Sequence, residues 1–351
     1  MNAEFFMAIE DIEREKGISQ TYMVERIEQA LLAALRKDFP GAVESAHVEL
    51  NPKKRTIEMY VERRVVAEPE NPDLEITLEE AREINKRYKI GDIVREEIDA
   101  RKFGRIAAQA AKQVIVQGIR EAERNMVYDE FTSKEHEILT GIVTHVEAKT
   151  GAVSMQIASN TEYTEAVMPY TECIPGERVG EGERLKVYIV EVRRATRGPQ
   201  VTISRTHPGL VKRLFELEVP EIAGGIVEIK SVAREAGSRT KLAVRSSDPV
   251  VEPIGACVGP RGARVNAVVE ELGGEKIDIV KYSDIVEEYI SSALAPSDVV
   301  KVTLLSDGKS CRVIVPDSQL SLAIGKEGQN VRLAARLTGY KIDIKPQSQY
   351  M

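Results

Sequence analysis

The stretch ACVGPRGARVNAVVEELGGEKIDIV (256–280) is answered by LAIGKEGQNVRLAARLTGYKIDI (322–344) later in the same chain. Gly259 and Gly325 lie 66 residues apart, as do Gly262 and Gly328, and Val265 and Val331. The Lys-Ile-Asp-Ile endings (276–279 and 341–344) lie 65 apart, so the first copy is one residue longer near Gly273-Gly274. Two strand-like runs precede each copy: GGIVEIKSVAR with KLAVRS, then DVVKVTLLS with SCRVIV. A duplicated strand–strand–helix–GxxG–helix–strand unit is the economical reading.

Each GxxG joins an apolar helical stretch to a following amphipathic helix. That is the arrangement of the KH domain, whose loop clamps about four nucleotides of single-stranded backbone. A side chain at the glycines would hold a sugar-phosphate chain away, and the following helix offers unpaired N–H groups and its positive end to phosphate. The candidate RNA-binding residues are therefore Gly259, Pro260, Arg261, Gly262 and Arg264 in the first copy. In the second they are Gly325, Lys326, Glu327, Gly328, Gln329, Asn330 and Arg332. Arg261 and Lys326 place one cation in each loop; Arg264, Asn330 and Arg332, on the next turn, can reach phosphate, sugar or base edges. Glu327 makes the second copy the better candidate for a purely structural unit. Strands before the loop and one strand after it fit the type II variant of the KH fold.

Upstream, residues 137–205 hold five short alternating runs: ILTGIVTHVE, AVSMQIA, TEAVMPY, RLKVYIVEV and QVTIS. This texture predicts a small OB-type barrel, and it resembles the S1 RNA-binding domain. Aligned with that family, Thr150 and Val153 stand where aromatic rings are usual, and Pro169 where histidine is usual. Base stacking, worth roughly 1–3 kcal/mol per base, is largely missing; His145, Tyr163 and Tyr170 are partial replacements. Arg193, Arg194 and Arg197 form a basic turn, either a phosphate contact or a solvated loop.

Residues 1–134 read as an α+β domain. Val24, Ile27, Leu31, Leu32 and Leu35 build one helical face. HVELNPKKRTIEMYVERRVV reads as two strands about a turn at Asn51-Pro52-Lys53-Lys54. Thr77 with Glu80 forms a capping-box pattern. A long helix is expected from about Ala100 to about residue 130. Arg101, Lys102, Arg105 and Lys112 fall near one of its faces, and Lys53, Lys54, Arg55, Arg63 and Arg64 cluster in the hairpin.

Within this frame, ARKFGRIAAQAAKQVIVQGIREAER (100–124) and GPQVTISRTHPGLVKRLFELEVPEI (198–222) resemble the NusA family of bacterial transcription elongation, termination and antitermination factors. The resemblance covers essentially the whole chain. It implies an N-terminal RNA polymerase-binding domain (1–134), an S1 domain (135–206) and two KH domains (207–283 and 284–351). It also implies docking near the RNA exit channel, with Arg101, Lys102, Arg105 and Lys112 as candidate polymerase contacts. Nascent single-stranded RNA and other Nus-type antitermination factors are the further implied partners, and the protein is expected to be a monomer. Some members carry acidic C-terminal repeats; with the sequence ending at Met351, none is expected here.

The bulk numbers bound this reading. With 351 residues, two to four domains are expected. Aromatics are only 5% and tryptophan is absent, so stacking cannot be a widespread device. The net charge of −7 argues against binding nucleic acid over the whole surface. It is uneven, about −5 over 1–134, −2 over 135–206 and zero over 207–351, which places RNA contacts late and a protein partner early. A ribosome-associated KH/S1 protein, the alternative, would be basic throughout. Cys173, Cys257 and Cys311 form no CxxC pair and the four histidines complete no metal spacing, so no cofactor or metal is expected. No Walker loop or nucleophile elbow points to an enzyme; polynucleotide phosphorylase, which also carries S1 and KH domains, needs a core that 1–134 is too short to supply. No run approaches the ~18 apolar residues of a membrane helix, and the N-terminus is no secretory signal; a cytoplasmic protein is expected.

Overall fold

The computed structural model describes residues 2–38, 45–98, 104–160, 163–195, 198–306 and 308–349. They form two compact units, 1–126 and 127–351.

In the first unit, α1 (Asn2–Lys16) and α2 (Gln20–Asp38) precede a hairpin of β1 (Ala46–Asn51) and β2 (Thr56–Val66). The turn lies where the sequence puts it: Asn51 Oδ1 accepts the Lys54 N–H at 3.0 Å. β1 pairs the first half of β2, from Ala46↔Val61 to Asn51↔Thr56. The second half pairs β3 (Glu75–Thr77) in parallel and β4 (Ile93–Glu97) antiparallel. Between these lies α3 (Leu78–Ile84), started by a complete capping box: Thr77 Oγ1 accepts the Glu80 N–H and the Glu80 carboxylate accepts the Thr77 N–H, both at 3.2 Å. The helical face of α2 is buried as its spacing requires, with Phe6, Ile9, Met23, Ile27, Leu31 and Leu35 forming the core. Ile115, Ile119, Ala122 and Met126 of α4 (Gly104–Ser133) pack against it.

In the second unit, β5 (Ile138–Val146), β6 (Val153–Ala158), β7 (Tyr163–Met168), β8 (Arg184–Ala195) and β9 (Gly198–Ser204) close a barrel in the order β5-β6-β7-β9-β8. All pairings are antiparallel except β7–β9. Alternate residues such as Val153, Met155 and Ile157 fill it, and Phe131 from the last turn of α4 joins them.

Next come α5 (Pro208–Glu218), α6 (Pro220–Ala223), β10 (Val227–Glu235), β11 (Arg239–Ser246), α7 (Pro253–Val258), α8 (Ala263–Glu271) and β12 (Lys276–Lys281). The pattern recurs in α9 (Val286–Ala293), β13 (Lys301–Leu304), β14 (Ser310–Val315), α10 (Leu320–Ile324), α11 (Gln329–Thr338) and β15 (Lys341–Pro346). In each sheet the middle strand is antiparallel to the strand before it and parallel to the last. Leu242↔Ile279 in one matches Val313↔Ile344 in the other, so the repeat extends to strand register. Each repeat also begins with a helix, α5 or α9, that the repeated motif did not include.

The sheet of the first repeat is buried on both faces. Leu242 and Val244 face its own helices, whereas Ala233, Ala243 and Val280 pack into the core of the second repeat with Ile290, Leu294, Leu333 and Leu337. Charges are buried at this seam only where they are paired. Lys241 is fully buried, and its Nζ donates to Ala295 O at 2.7 Å and Asp278 Oδ2 at 3.3 Å. Barrel and first repeat are joined by Arg205, 1% exposed, whose five N–H donors are all used. They reach both Glu177 oxygens (3.0 and 2.6 Å), Lys186 O (2.6 Å), and Glu271 Oε1 and O (3.2 and 2.8 Å). Nearby, the His207 ring stacks on Tyr188 at 4.5 Å, and Gly209 is required because a Cβ there would lie 2.4 Å from Tyr188 Cζ.

Candidate nucleic-acid interface

The two GxxG loops have one backbone. Gly259 and Gly325 sit at φ/ψ of 72/174 and 76/170, Arg261 and Glu327 at 54/26 and 55/23, and Gly262 and Gly328 at 77/13 and 75/16. Each loop closes through an N–H···O bond of 3.1 Å, from Gly262 to Gly259 and from Gly328 to Gly325. Such a conformation is open to Gly at the first position and costly to any other residue.

The glycines of a loop serve different ends. A Cβ on Gly259 would lie 2.7 Å from Arg264 Cγ, and one on Gly325 would lie 2.8 Å from the Asn330 backbone nitrogen. These first glycines let the loop fold back on its own helix. Above Gly328 the nearest atom to a Cβ is 4.0 Å away, and above Gly262 it is the flexible Asn266 amide at 3.2 Å. Space for a sugar-phosphate chain therefore lies over the second glycine of each loop. Arg261, Lys326 and Glu327 are exposed, as is Pro260. Neither Gly262 nor Gly328 supplies a side-chain cap to the helix that follows, and the first N–H of each helix is held within the loop, from Ala263 to Pro260 O and from Gln329 to Lys326 O.

Two expected ligands are engaged within the fold. Asn330 is only 4% exposed, and its Nδ2 donates to Leu294 O and Ala323 O, both at 3.0 Å. Arg264, at the matching position, turns inward: its Nη1 donates to Ala256 O at 2.6 Å and Glu221 Oε2 at 2.9 Å. Both brace the loop. The signal was in the sequence, since each is the fifth residue after the first glycine of its copy. Gln329 and Arg332 are accessible but held: Gln329 Nε2 donates to Glu235 Oε2 (2.9 Å) and Ser238 Oγ (2.7 Å), and Arg332 Nε donates to Glu235 Oε1 at 2.6 Å. Arg332 above all keeps the Glu235 carboxyl below the ordinary carboxylate range.

On the barrel, Tyr163 and Tyr170 are exposed. Tyr170 lies over Gly151, where a Cβ would come within 2.7 Å of its ring. Val153 is buried in the barrel, so it does not take the place of a ring on the outer face. Arg193 and Arg194, expected in a turn, lie at the end of β8: Arg193 pairs with Glu191 at 2.7 Å, and the Arg194 guanidinium lies 4.5 Å from the Tyr128 ring centre. His145 meets Glu181 at 3.1 Å. Arg197 lies outside the described residues.

In the first unit, Lys112 is exposed on α4, beside Gln113, Val116 and Gln117. Arg101 and Lys102 lie outside the described residues, as does the side chain of Arg105. The hairpin cations do not act as one patch, since Arg55 pairs with Glu10 at 3.2 Å and Arg63 with Glu96 at 2.5 Å. Burial pushes the thiols of Cys257 and Cys311 up, to about 12 and about 11. Among the described residues, no His, Cys, Asp and Glu converge to hold a metal, and no helix is long and apolar enough to cross a membrane.

Known proteins share these parts. Residues 4–125 match the family model of the NusA N-terminal domain, 205–282 that of the NusA-like first KH domain, and 286–351 that of the NusA-like second KH domain. Three relatives carry the name transcription termination/antitermination protein NusA. That of Halalkalibacterium halodurans is 50% identical over 349 residues, covering 99% of this chain and 90% of its own. That of Bacillus subtilis is 50% identical over 348 residues, covering 99% and 92%. That of Thermus thermophilus is 42% identical over 355 residues, covering 97% and 89%. The chain, with two KH repeats of matching loop geometry behind a five-stranded barrel, belongs to the NusA family.

Proposed function

We propose that this protein is a transcription termination and antitermination factor that holds nascent single-stranded RNA on its two GxxG loops while its N-terminal region engages RNA polymerase near the RNA exit channel. The observation that carries this is the repeated loop backbone, with open space over Gly262 and Gly328. Arg261 and Lys326 meet phosphate; Tyr163, Arg193, Arg194 and Arg197 add weaker contacts. Lys112, with Arg101, Lys102 and Arg105, is the candidate polymerase contact. The functional regions are 1–134, 135–206, 207–283 and 284–351.

Each RNA contact is weak alone. Held in one compact unit, they raise one another's effective concentration and bind tightly together. The factor performs no covalent chemistry. It lengthens or shortens a pause by favouring one state of the polymerase complex, acts in the cytoplasm as a monomer, and joins other Nus-type factors in antitermination assemblies.

The test is Gly262→Asp with Gly328→Asp, both at left-handed positions that Asp tolerates. Anisotropy of a labelled single-stranded RNA should show binding lost in a variant whose circular dichroism is unchanged. Unaltered affinity would end the RNA assignment. Co-purification with RNA polymerase is expected; recovery only with 30S particles would favour the ribosomal alternative.

A further inference from the structure

The two loops share a backbone but differ in charge. Arg332 of the second repeat corresponds to Asn266 in the first, and Gln329 to Ala263. Arg264, the cation on the first turn of the first helix, is turned in to Ala256 O and Glu221, so only the second loop has an exposed cation on the first turn of its helix. That cation is already occupied, and by the other repeat. Glu235, the last residue of β10, receives Arg332 Nε at 2.6 Å, Arg332 Nη2 at 3.3 Å and Gln329 Nε2 at 2.9 Å, with Arg336 Nη1 at 3.7 Å. Arg332 Nη1 also donates to Glu327 O at 3.2 Å, inside the loop. The guanidinium thus links the edge of the first repeat to the backbone of the second loop. The first loop has no such link to the other repeat: Arg264 pairs with Glu221 of its own repeat, and Arg261 is exposed and makes no described ion pair.

Given RNA at these loops, as proposed above, we infer that Glu235 is a specificity-determining residue: its carboxylate fills the anion position beside the second loop, so RNA takes the first loop freely and the second only by displacing Glu235 from Arg332. The displacement is within reach. The Arg332 side chain is 44% exposed, and ion pairs of that exposure are weak. A phosphate offers guanidinium the same two-oxygen geometry as a carboxylate. Ligands without a phosphate in register at both loops leave Glu235 in place. The second loop therefore selects strands already seated on the first.

The test uses the full chain and a fluorescein-labelled, unstructured single-stranded RNA, titrated at several salt concentrations. In a Gly262→Asp background, which isolates the second loop, Glu235→Gln should raise affinity roughly two- to five-fold, the range of an exposed ion pair. It should also steepen the logarithmic salt dependence by about 0.7, one further phosphate contact on a single strand. In a Gly328→Asp background the same change should do nothing. Unchanged or weaker binding in the Gly262→Asp background overturns the role of Glu235, as does an equal gain in both backgrounds. If Glu235→Gln does not fold, Arg332→Gln decides: with both loops intact it must weaken binding and flatten the logarithmic salt dependence by about 0.7, and unchanged affinity overturns the same role. Failure of RNA binding itself shows separately, as full affinity in the Gly262→Asp, Gly328→Asp double variant.

Discussion

Gly325 and Gly328 stand three residues apart in one loop, both at positive φ, yet alanine should affect them very differently. At Gly328, φ 75 and ψ 16 are left-handed helical, and the nearest atom to a new Cβ is 4.0 Å away. Only the intrinsic cost of a left-handed L-residue applies, about 1 kcal/mol. At Gly325, φ 76 and ψ 170 lie in a region nearly restricted to glycine, with a cost of about 1–3 kcal/mol. The new Cβ would also meet the Asn330 backbone nitrogen and Cβ, each at 2.8 Å. Backbone cannot move aside without losing the buried Asn330 hydrogen bonds, so the total is about 3 kcal/mol or more. For a unit of this size, 1 kcal/mol shifts Tm by about 2–4 °C. Calorimetry of the full chain should therefore show a fall of about 2–4 °C for Gly328→Ala and about 6–12 °C for Gly325→Ala. Equal shifts, or a larger one for Gly328→Ala, would refute the division between a folding glycine and a ligand-facing one.

Three further outcomes follow from buried or capped groups. Arg205→Met strands the Glu177 carboxylate and two carbonyls and leaves Glu271 only its pair with Lys186; chemical denaturation should show a loss of about 3 kcal/mol, and a change under about 0.5 kcal/mol would mean the joint is held by packing alone. Thr77→Ala removes a reciprocal cap and should lower the stability of the first unit by about 1 kcal/mol, seen in hydrogen exchange of α3 and absent from the barrel. Glu235 has a depressed pKa when folded, so its bond to Arg332 contributes fully above the unfolded value of about 4.3 and is lost as pH falls through the folded one. The stability difference between wild type and Glu235→Gln should accordingly shrink on acidification, and a constant difference would exclude the ion pair as its source.

The sequence disclosed what local pattern encodes. Glycines at a fixed offset marked the loops, alternation marked the barrel strands, and Thr77 with Glu80 marked a helix start. Side-chain direction within a turn was not legible in the same way. Arg264 and Asn330 looked like ligands because they follow the loop, yet each turns inward to carbonyls of the preceding helix. Pairings between repeats left no trace at all: Glu235 and Arg332 are 97 residues apart, and nothing in either neighbourhood names the other. The helices α5 and α9 lie outside the legible repeat because PGLVKRLFELE and VEEYISSA share a packing role but not a sequence.

The sheet of the first repeat lends its second face to α9 and α11, so no flexible tether sets the gap between the two loops. A polynucleotide seated at both must bridge a fixed interval. Adding or deleting one nucleotide between its two anchored segments would slide the distal segment out of register and forfeit that contact. The protein would then gauge spacing along a transcript as a caliper does, alongside whatever letters its grooves prefer.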